Sequence, residues 1–368
     1  MNDGARSAGL DPGRWRGARR RSPWGRRQGR PAQDHGGDAA GRPIYAALDL
    51  GTNNCRLLVA RPAPGGFRVV DAFSRIIRLG EGVSGTGRIS AAAVDRALSA
   101  LAVCSNKMHQ RNVTRARLIA TEACRAAING PDFVARVLDE IGLELEIIDR
   151  QTEALLAATG CTPLVDTQAS AVILFDIGGG SSELVSMGVE SAETGPPTPS
   201  IRAWTSLPLG VVTLAERHGG IHVDRELFEV MVEEVATHVR PFTEAGPPVR
   251  CASAHLLGTS GTVTTIAGVH LALRRYDRRY VDGCWMGEEE ISSVIERLLA
   301  MSYEERAANP CIGPERADLV LAGCAILEAI RRAFPLNRLR VADRGLREGM
   351  LVQMMREDAV WQAPCGAA

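Results

Sequence analysis

The stretch 174–187, Leu-Phe-Asp-Ile-Gly-Gly-Gly-Ser-Ser-Glu-Leu-Val-Ser-Met, constrains the fold of this chain more than any other. An apolar run at 171–175 enters it and an alternating run at 183–187 leaves it, the pattern of a strand, a tight glycine turn and a returning strand. Three glycines in succession carry no Cβ, so the backbone can take φ > 0 and a ligand can approach the main chain. Successive amide N–H groups in such a turn form a concave anion site. Asp176 ends the entering strand and Glu183 opens the returning one. Two carboxylates beside an anion site repel the ligand unless a divalent cation stands between them and a phosphate. A plain hairpin turn would also use three glycines, so the rest of the chain has to decide.

The same device occurs again at 46–60, Ala-Ala-Leu-Asp-Leu-Gly-Thr-Asn-Asn-Cys-Arg-Leu-Leu-Val-Ala, where Asp49 corresponds to Asp176 and Gly51 to Gly178. A third glycine and hydroxyl loop, Leu257-Gly-Thr-Ser-Gly-Thr-Val263, follows an apolar run and opens a helical pattern at Thr262. Three phosphate-type loops, two of them Asp-x-Gly hairpins, point to a duplicated scaffold whose halves face one ligand.

At 368 residues the chain exceeds the usual size of a single core, so two domains are expected. Strands punctuated by crossing helices make the fold class α/β. The expected division is a tail at 1–43, a first domain at 44–155, a second at 156–358 and a tail at 359–368. Residues 1–42 hold ten Arg against four Asp and lack apolar periodicity, which reads as a disordered basic arm. No apolar core of a secretion signal follows Arg21, and no window is apolar enough to span a membrane. The nine cysteines form no C-x-x-C pair and read as buried thiols of a cytoplasmic protein. His218 and His222 flank Gly219-Gly220, which argues against a helical zinc pair. Lys107 is the sole lysine, so there is no Walker-A loop, and a phosphate clamp must come from arginine and backbone N–H groups.

In the first domain, strands are expected at 44–50, 55–61, 67–79, 115–120 and 143–148, with a mobile loop at 80–87. Ser90 caps one helix, Pro131 opens a second, and a third begins near Gln151. The second domain is expected to hold strands at 170–177, 181–188, 201–207 and 338–342 around a surface loop at 190–200. Its helices are expected at 210–217, 224–244, 262–273, 287–300 and 316–333, with a closing helix to about 357.

The pieces Asp49-Leu-Gly-Thr-Asn-Asn54, Ala120-Thr-Glu-Ala-Cys-Arg125, Asp176-Ile-Gly-Gly-Gly-Ser-Ser-Glu183, Gly258-Thr-Ser-Gly-Thr-Val263 and Asp343-Arg-Gly-Leu-Arg-Glu-Gly-Met350 occur in this order. Together they resemble the exopolyphosphatase / guanosine pentaphosphate phosphohydrolase (Ppx/GppA) family of the actin-like ATPase superfamily. The resemblance implies two actin-like (ribonuclease H-like) domains with an active-site cleft between them. It places the catalytic base at Glu153, in Arg150-Gln-Thr-Glu-Ala154, where Gln151 and Thr152 depart from the family pattern.

The phosphate groups would be held by Asn53, Arg125, Gly178, Gly179, Gly180, Ser181, Gly258, Ser260, Gly261 and Arg316, and Mg²⁺ by Asp49, Asp176 and Glu183. Glu122 is expected to hold Arg125 rather than to act as the base. The implied activity is hydrolysis of terminal phosphoanhydride bonds of inorganic polyphosphate or guanosine pentaphosphate. A small-molecule kinase or ATPase and a weakly active nucleotide-binding regulator are the alternatives. Neither a membrane nor a specific nucleic acid is an expected partner, whereas homodimers are common in the family. The dipeptide His-Asp occurs nowhere, so the chain looks like a short form without a His-Asp helical domain.

Overall fold

The computed structural model describes residues 43–190, 195–245 and 253–361. The basic arm at 1–42, the middle of the proline-containing loop at 191–194 and residues 362–368 of the expected C-terminal tail lie outside the described residues.

The chain opens with β1 (Tyr45–Leu50), β2 (Asn54–Ala63) and β3 (Gly66–Ile76), then α1 (Val83–Thr86) and α2 (Ala91–Gln110). Next come β4 (Arg115–Ala120), α3 (Glu122–Ala126), α4 (Gly130–Ile141), β5 (Glu146–Ile147) and α5 (Arg150–Cys161). The second half begins with β6 (Val172–Ile177), β7 (Ser182–Glu190) and β8 (Thr198–Leu207), followed by α6 (Val211–His218) and α7 (Arg225–Ala245). After β9 (His255–Thr259) come α8 (Gly261–His270), α9 (Arg278–Val281), β10 (Trp285–Gly287), α10 (Glu288–Ala300) and α11 (Tyr303–Ala308). The last elements are α12 (Val320–Ala333), β11 (Arg338–Ala342) and α13 (Leu346–Glu357).

Two sheets result, in the orders β3-β2-β1-β4-β5 and β10-β11-β9-β6-β7-β8. In each, a hairpin is followed by a parallel strand on its inner side: β1/β2 with β4, and β6/β7 with β9. The duplication expected from the two Asp-x-Gly hairpins is therefore a duplication of sheets. The first sheet packs α2 and α4 on one face, and the second sheet packs α6, α7, α8, α10 and α12 on its own outer face.

Between the sheets lies a third core, built from α5 and α13 with inward residues of both sheets, among them Tyr45, Leu58, Leu174 and Leu257. Sequence order assigns α13 to the second half, yet Met350, Leu351 and Met354 share this layer with the first sheet. A middle layer common to both sheets is what aligns the two hairpin turns on one cleft.

The two middle helices can touch because of glycine. A Cβ on Gly160 would lie 2.0 Å from the Gly345 carbonyl oxygen, and one on Gly349 would lie 2.0 Å from that of Leu156. These are backbone atoms that no rotamer change can move. Gly160→Ala should therefore destabilise the fold by about 1–3 kcal/mol, the usual cost of overpacking. The check is a thermal unfolding midpoint lowered by several degrees; an unchanged midpoint would show that the helices are free to separate.

Three expectations need correction. The strand expected at 143–148 is only Glu146–Ile147, because β5 pairs with β4 through two positions at the sheet edge. The stretch 80–87, read as a mobile loop, contains α1 and is pinned at its start by Gly80 N–H donating to the Thr52 carbonyl at 2.9 Å. The tail expected from 359 begins with packed residues: the Trp361 indole N–H donates to the carbonyls of Ala63 and Gly66 at 3.0 and 2.9 Å.

Candidate active site

The two hairpins place four charged residues by register. Asp49 on β1 stands opposite Arg56 on β2, and Asp176 on β6 stands opposite Glu183 on β7. All four line one cleft together with Glu153, Ser260, Gly261 and Arg316. The turns themselves meet across it. A Cβ on Gly179 would lie 2.8 Å from the Thr52 Cβ, and one on Gly180 would lie 2.9 Å from the Thr52 hydroxyl and 3.0 Å from the Glu122 Cγ. None of Gly178, Gly179 or Gly180 has a positive φ. Gly179 and Gly180 serve close approach between the two halves, and Gly178 close approach to the Ser181 carbonyl within its own turn, rather than the left-handed turn that their sequence suggests. Gly178, Gly179, Gly180, Ser181 and Asn53 line the cleft as expected, and Thr52 of the first turn joins them without having been singled out from the sequence.

Glu183 is buried and Asp49 and Asp176 are half-buried in the cleft wall, and each carboxyl is raised above its ordinary range. For Asp49 the cause is burial, only partly offset by Arg56. Burial pushes Asp176 up to about 6, with the Asp49 charge adding to it. Glu183 is pushed up to about 7 by burial and by Asp176, although Ser206 Oγ donates to its Oε1 at 2.9 Å. These groups lack a positive neighbour of sufficient charge. Among the described residues, no three His, Cys, Asp or Glu side chains converge tightly enough to cage a metal ion directly. A shared cleft thus holds the three carboxylates, but not a three-ligand site. Their hard oxygen donors fit a cation such as Mg²⁺, which keeps several waters and takes one or two carboxylates beside phosphate. The carboxamide oxygens of Asn53 and Asn54 are also buried there without a partner.

Glu153 sits in the first turn of α5, whose N-cap Asp149 accepts from the Thr152 N–H at 2.7 Å. The cap fixes the helix start and so aims Glu153 into the cleft. Burial raises its carboxyl well above the ordinary range, the Glu183 charge adds to this, and Arg125 only partly offsets it. Arg125 does not line the cleft. Its guanidinium is taken up by Glu122 Oε2 at 2.9 Å, the Ile148 carbonyl at 2.6 Å and Glu153 Oε2 at 3.0 Å. The expected phosphate clamp is thus a brace behind Glu153, and Glu122 holds it as read from the sequence. The departures from the family pattern fall away from this contact: Gln151 is exposed, and Thr152 serves the Asp149 cap.

The third loop approaches from the second sheet. Ser260 precedes α8 with φ 100° and ψ 175°, a region nearly reserved for glycine that costs a side chain on the order of 1–3 kcal/mol. Its hydroxyl is buried without a partner and does not cap the helix. The guanidinium of Arg316 and that of Arg56 both lie 3.7–3.8 Å from a Cβ position on Gly261. Two arginines and a helix N-terminus therefore converge on one point, which favours an anion. Burial lowers the pKa of Arg316, and the neighbouring Arg56 charge adds to this, as expected of cations waiting for a counter-charge. Gly258, like Arg125, does not line the cleft. It lies within β9, where a Cβ would meet the Phe175 ring at 2.6 Å, so it is a packing glycine and not part of the cleft. Arg56, Thr121 and Asn54 line the cleft but were not singled out from the sequence.

Comparison with known proteins agrees with this geometry. Residues 58–358 match the Ppx/GppA phosphatase family. The chain is 29% identical over 327 residues to Exopolyphosphatase 2 of Mycobacterium tuberculosis, covering 84% of this chain and 98% of that one. It is 26% identical over 321 residues to the guanosine-5'-triphosphate,3'-diphosphate pyrophosphatase of Photobacterium profundum, covering 85% of this chain but 59% of that relative. The crystal structure of the Aquifex aeolicus Ppx/GppA family member is 27% identical, with a TM-score of 0.70, over 86% of this chain and 99% of that one. The two duplicated sheets are the actin-like two-domain fold shared with that protein, and the chain belongs to the Ppx/GppA phosphatase family.

Proposed function

We propose that the protein hydrolyses the terminal phosphoanhydride bond of a phosphate chain in this cleft, with Mg²⁺ as its cation. The observation that carries this is the meeting of two Asp-x-Gly turns with Arg56, Arg316 and the α8 N-terminus around one cleft. The arginines, the turn N–H groups and the Ser260 hydroxyl would neutralise and orient the phosphoryl oxygens. Asp49, Asp176 and Glu183 would hold a hydrated Mg²⁺, in part through its retained waters, and the ion would supply charge neutralisation beside the phosphate. Glu153 would take a proton from a water as its oxygen attacks the terminal phosphorus. The bridging P–O bond breaks, and the shortened chain and inorganic phosphate leave.

Inorganic polyphosphate is the substrate the cleft favours. Among the described residues that line it none is aromatic, so they offer a guanine base no stacking surface. Similarity to the Photobacterium profundum relative supports guanosine pentaphosphate as the second reading. Glu153, braced by Arg125 and open to the cleft, favours water as acceptor over the kinase alternative. The test is phosphate release from polyphosphate, guanosine pentaphosphate and ATP, each with and without Mg²⁺. Release is expected to be fastest from polyphosphate and to need Mg²⁺. No release from either of the first two would leave the regulator reading.

A further inference from the structure

We propose that Arg78 and Asp318 form a clasp between the two domains that holds the cleft closed and sets Arg316 on the phosphate chain, making Arg78 a positioning residue. The inference rests on the cleft being a phosphate-chain site, but its geometry stands apart from the reaction.

Arg78 follows β3 and has φ 45°, an uncommon value for a residue with a side chain. Its backbone belongs to the first domain. The N–H groups of Ile77 and Arg78 donate to the Asn53 carbonyl at 2.9 and 3.1 Å, and Arg96 of α2 donates to the carbonyls of both. Its side chain belongs to the second domain. Nη1 and Nη2 donate to the two Asp318 carboxylate oxygens at 2.9 and 3.0 Å, and Nη2 also donates to the Glu315 carbonyl at 3.0 Å. Glu315 and Asp318 flank Arg316 on the turns before α12. A second strand of the clasp lies alongside: the Gly82 N–H donates to Glu216 Oε1 at 2.8 Å, and the Ser84 hydroxyl donates to Glu216 Oε2.

Glu216 is on α6, and the first N–H groups of that helix donate to the carbonyls of Gly178 and Gly179 at 3.0 and 2.8 Å. One segment thus connects the first turn, the second turn and the loop carrying Arg316. A bidentate Arg–carboxylate pair fixes direction as well as distance. A planar fork of this kind is what setting the neighbouring residue requires.

Without the clasp, part of the population would have an open cleft with Arg316 displaced, and the apparent affinity would fall by the closed fraction. The substrate still closes the cleft once bound, so turnover is kept. Arg78→Ala and Asp318→Asn should each raise KM for polyphosphate about fivefold, the scale of one half-exposed pair, with kcat within about twofold. Arg78→Lys should recover part of the loss, and Arg78→Asp combined with Asp318→Arg should recover more than either single change.

The second measurement needs no substrate. Small-angle scattering of the full chain should give a larger radius of gyration for Arg78→Ala than for the wild type, and the excess should vanish in the charge-swapped pair. An unchanged KM, or equal radii, would overturn the clasp. If the wild type released no phosphate, the reading of the reaction would fail while the scattering comparison still decided the clasp.

Discussion

Glu153→Gln should lower turnover on a phosphate chain by on the order of 10²–10⁴, the usual contribution of a positioned general base. Binding should change by no more than about twofold. The substitution keeps the length of the side chain and can still accept from Arg125, which meets Glu153 Oε2 at 3.0 Å. What it removes is the capacity to take a proton. A base at this position needs a carboxyl whose pKa stands above the ordinary range, and burial together with Glu183 provides that. Arg125 opposes that rise without cancelling it. Phosphate release measured beside calorimetric binding of polyphosphate separates the two effects. Retention of more than about a tenth of wild-type turnover would remove Glu153 from the role, and a parallel loss of binding would make it a structural residue.

The two hairpins show how far the sequence could be read. Asp49 and Asp176 announce themselves because each ends an apolar strand before a glycine turn. Glu183 was found as a carboxylate just past the second turn. Arg56 occupies the same register position in the first hairpin, seven residues after Asp49 as Glu183 is seven after Asp176. Applying the duplication to the returning strands would have found it. An arginine among Cys55, Leu57 and Leu58 was the visible signal. Arg125 misled for the opposite reason. Its motif is specific, but a motif does not say which of two neighbouring carboxylates a guanidinium will face, and Glu122 and Glu153 take it away from the cleft.

Gly258 misled because a glycine beside hydroxyls suggests an anion loop, whereas the missing Cβ makes room for the Phe175 ring. The shared middle layer was not legible either. Buried residues run around α13, from Leu346 through Met350, Leu351 and Val352 to Met355, and only tertiary packing sets them between two different sheets. The clasp was least legible of all: Arg78 and Asp318 are 240 positions apart, and each alone reads as a surface charge.

Chelation of divalent cations should bring turnover to background, and Asp176→Asn should raise the Mg²⁺ concentration needed for half-maximal turnover by about tenfold or more. The reason is electrostatic. Three buried or half-buried carboxylates face a cleft in which Arg56 and Arg316 are the lining cations among the described residues. A phosphate chain brings further negative charge to the same place. Two like charges 4 Å apart repel by about 4 kcal/mol at an effective dielectric constant near 20. Two arginines cannot offset several such terms at once.

A hydrated divalent cation between the carboxylates and the phosphate reverses the sign of the largest of them. Because no three side chains form a direct cage, the affinity for Mg²⁺ alone should be low and should tighten when polyphosphate is present. Calorimetric titration of Mg²⁺ into the protein, with and without polyphosphate, measures that coupling directly. Replacing Asp176 removes one charge, so it eases repulsion of the substrate while weakening the hold on the cation. Polyphosphate binding without Mg²⁺ should accordingly improve as turnover falls. Full turnover in excess chelator, or an unchanged Mg²⁺ requirement in Asp176→Asn, would remove the cation from this site.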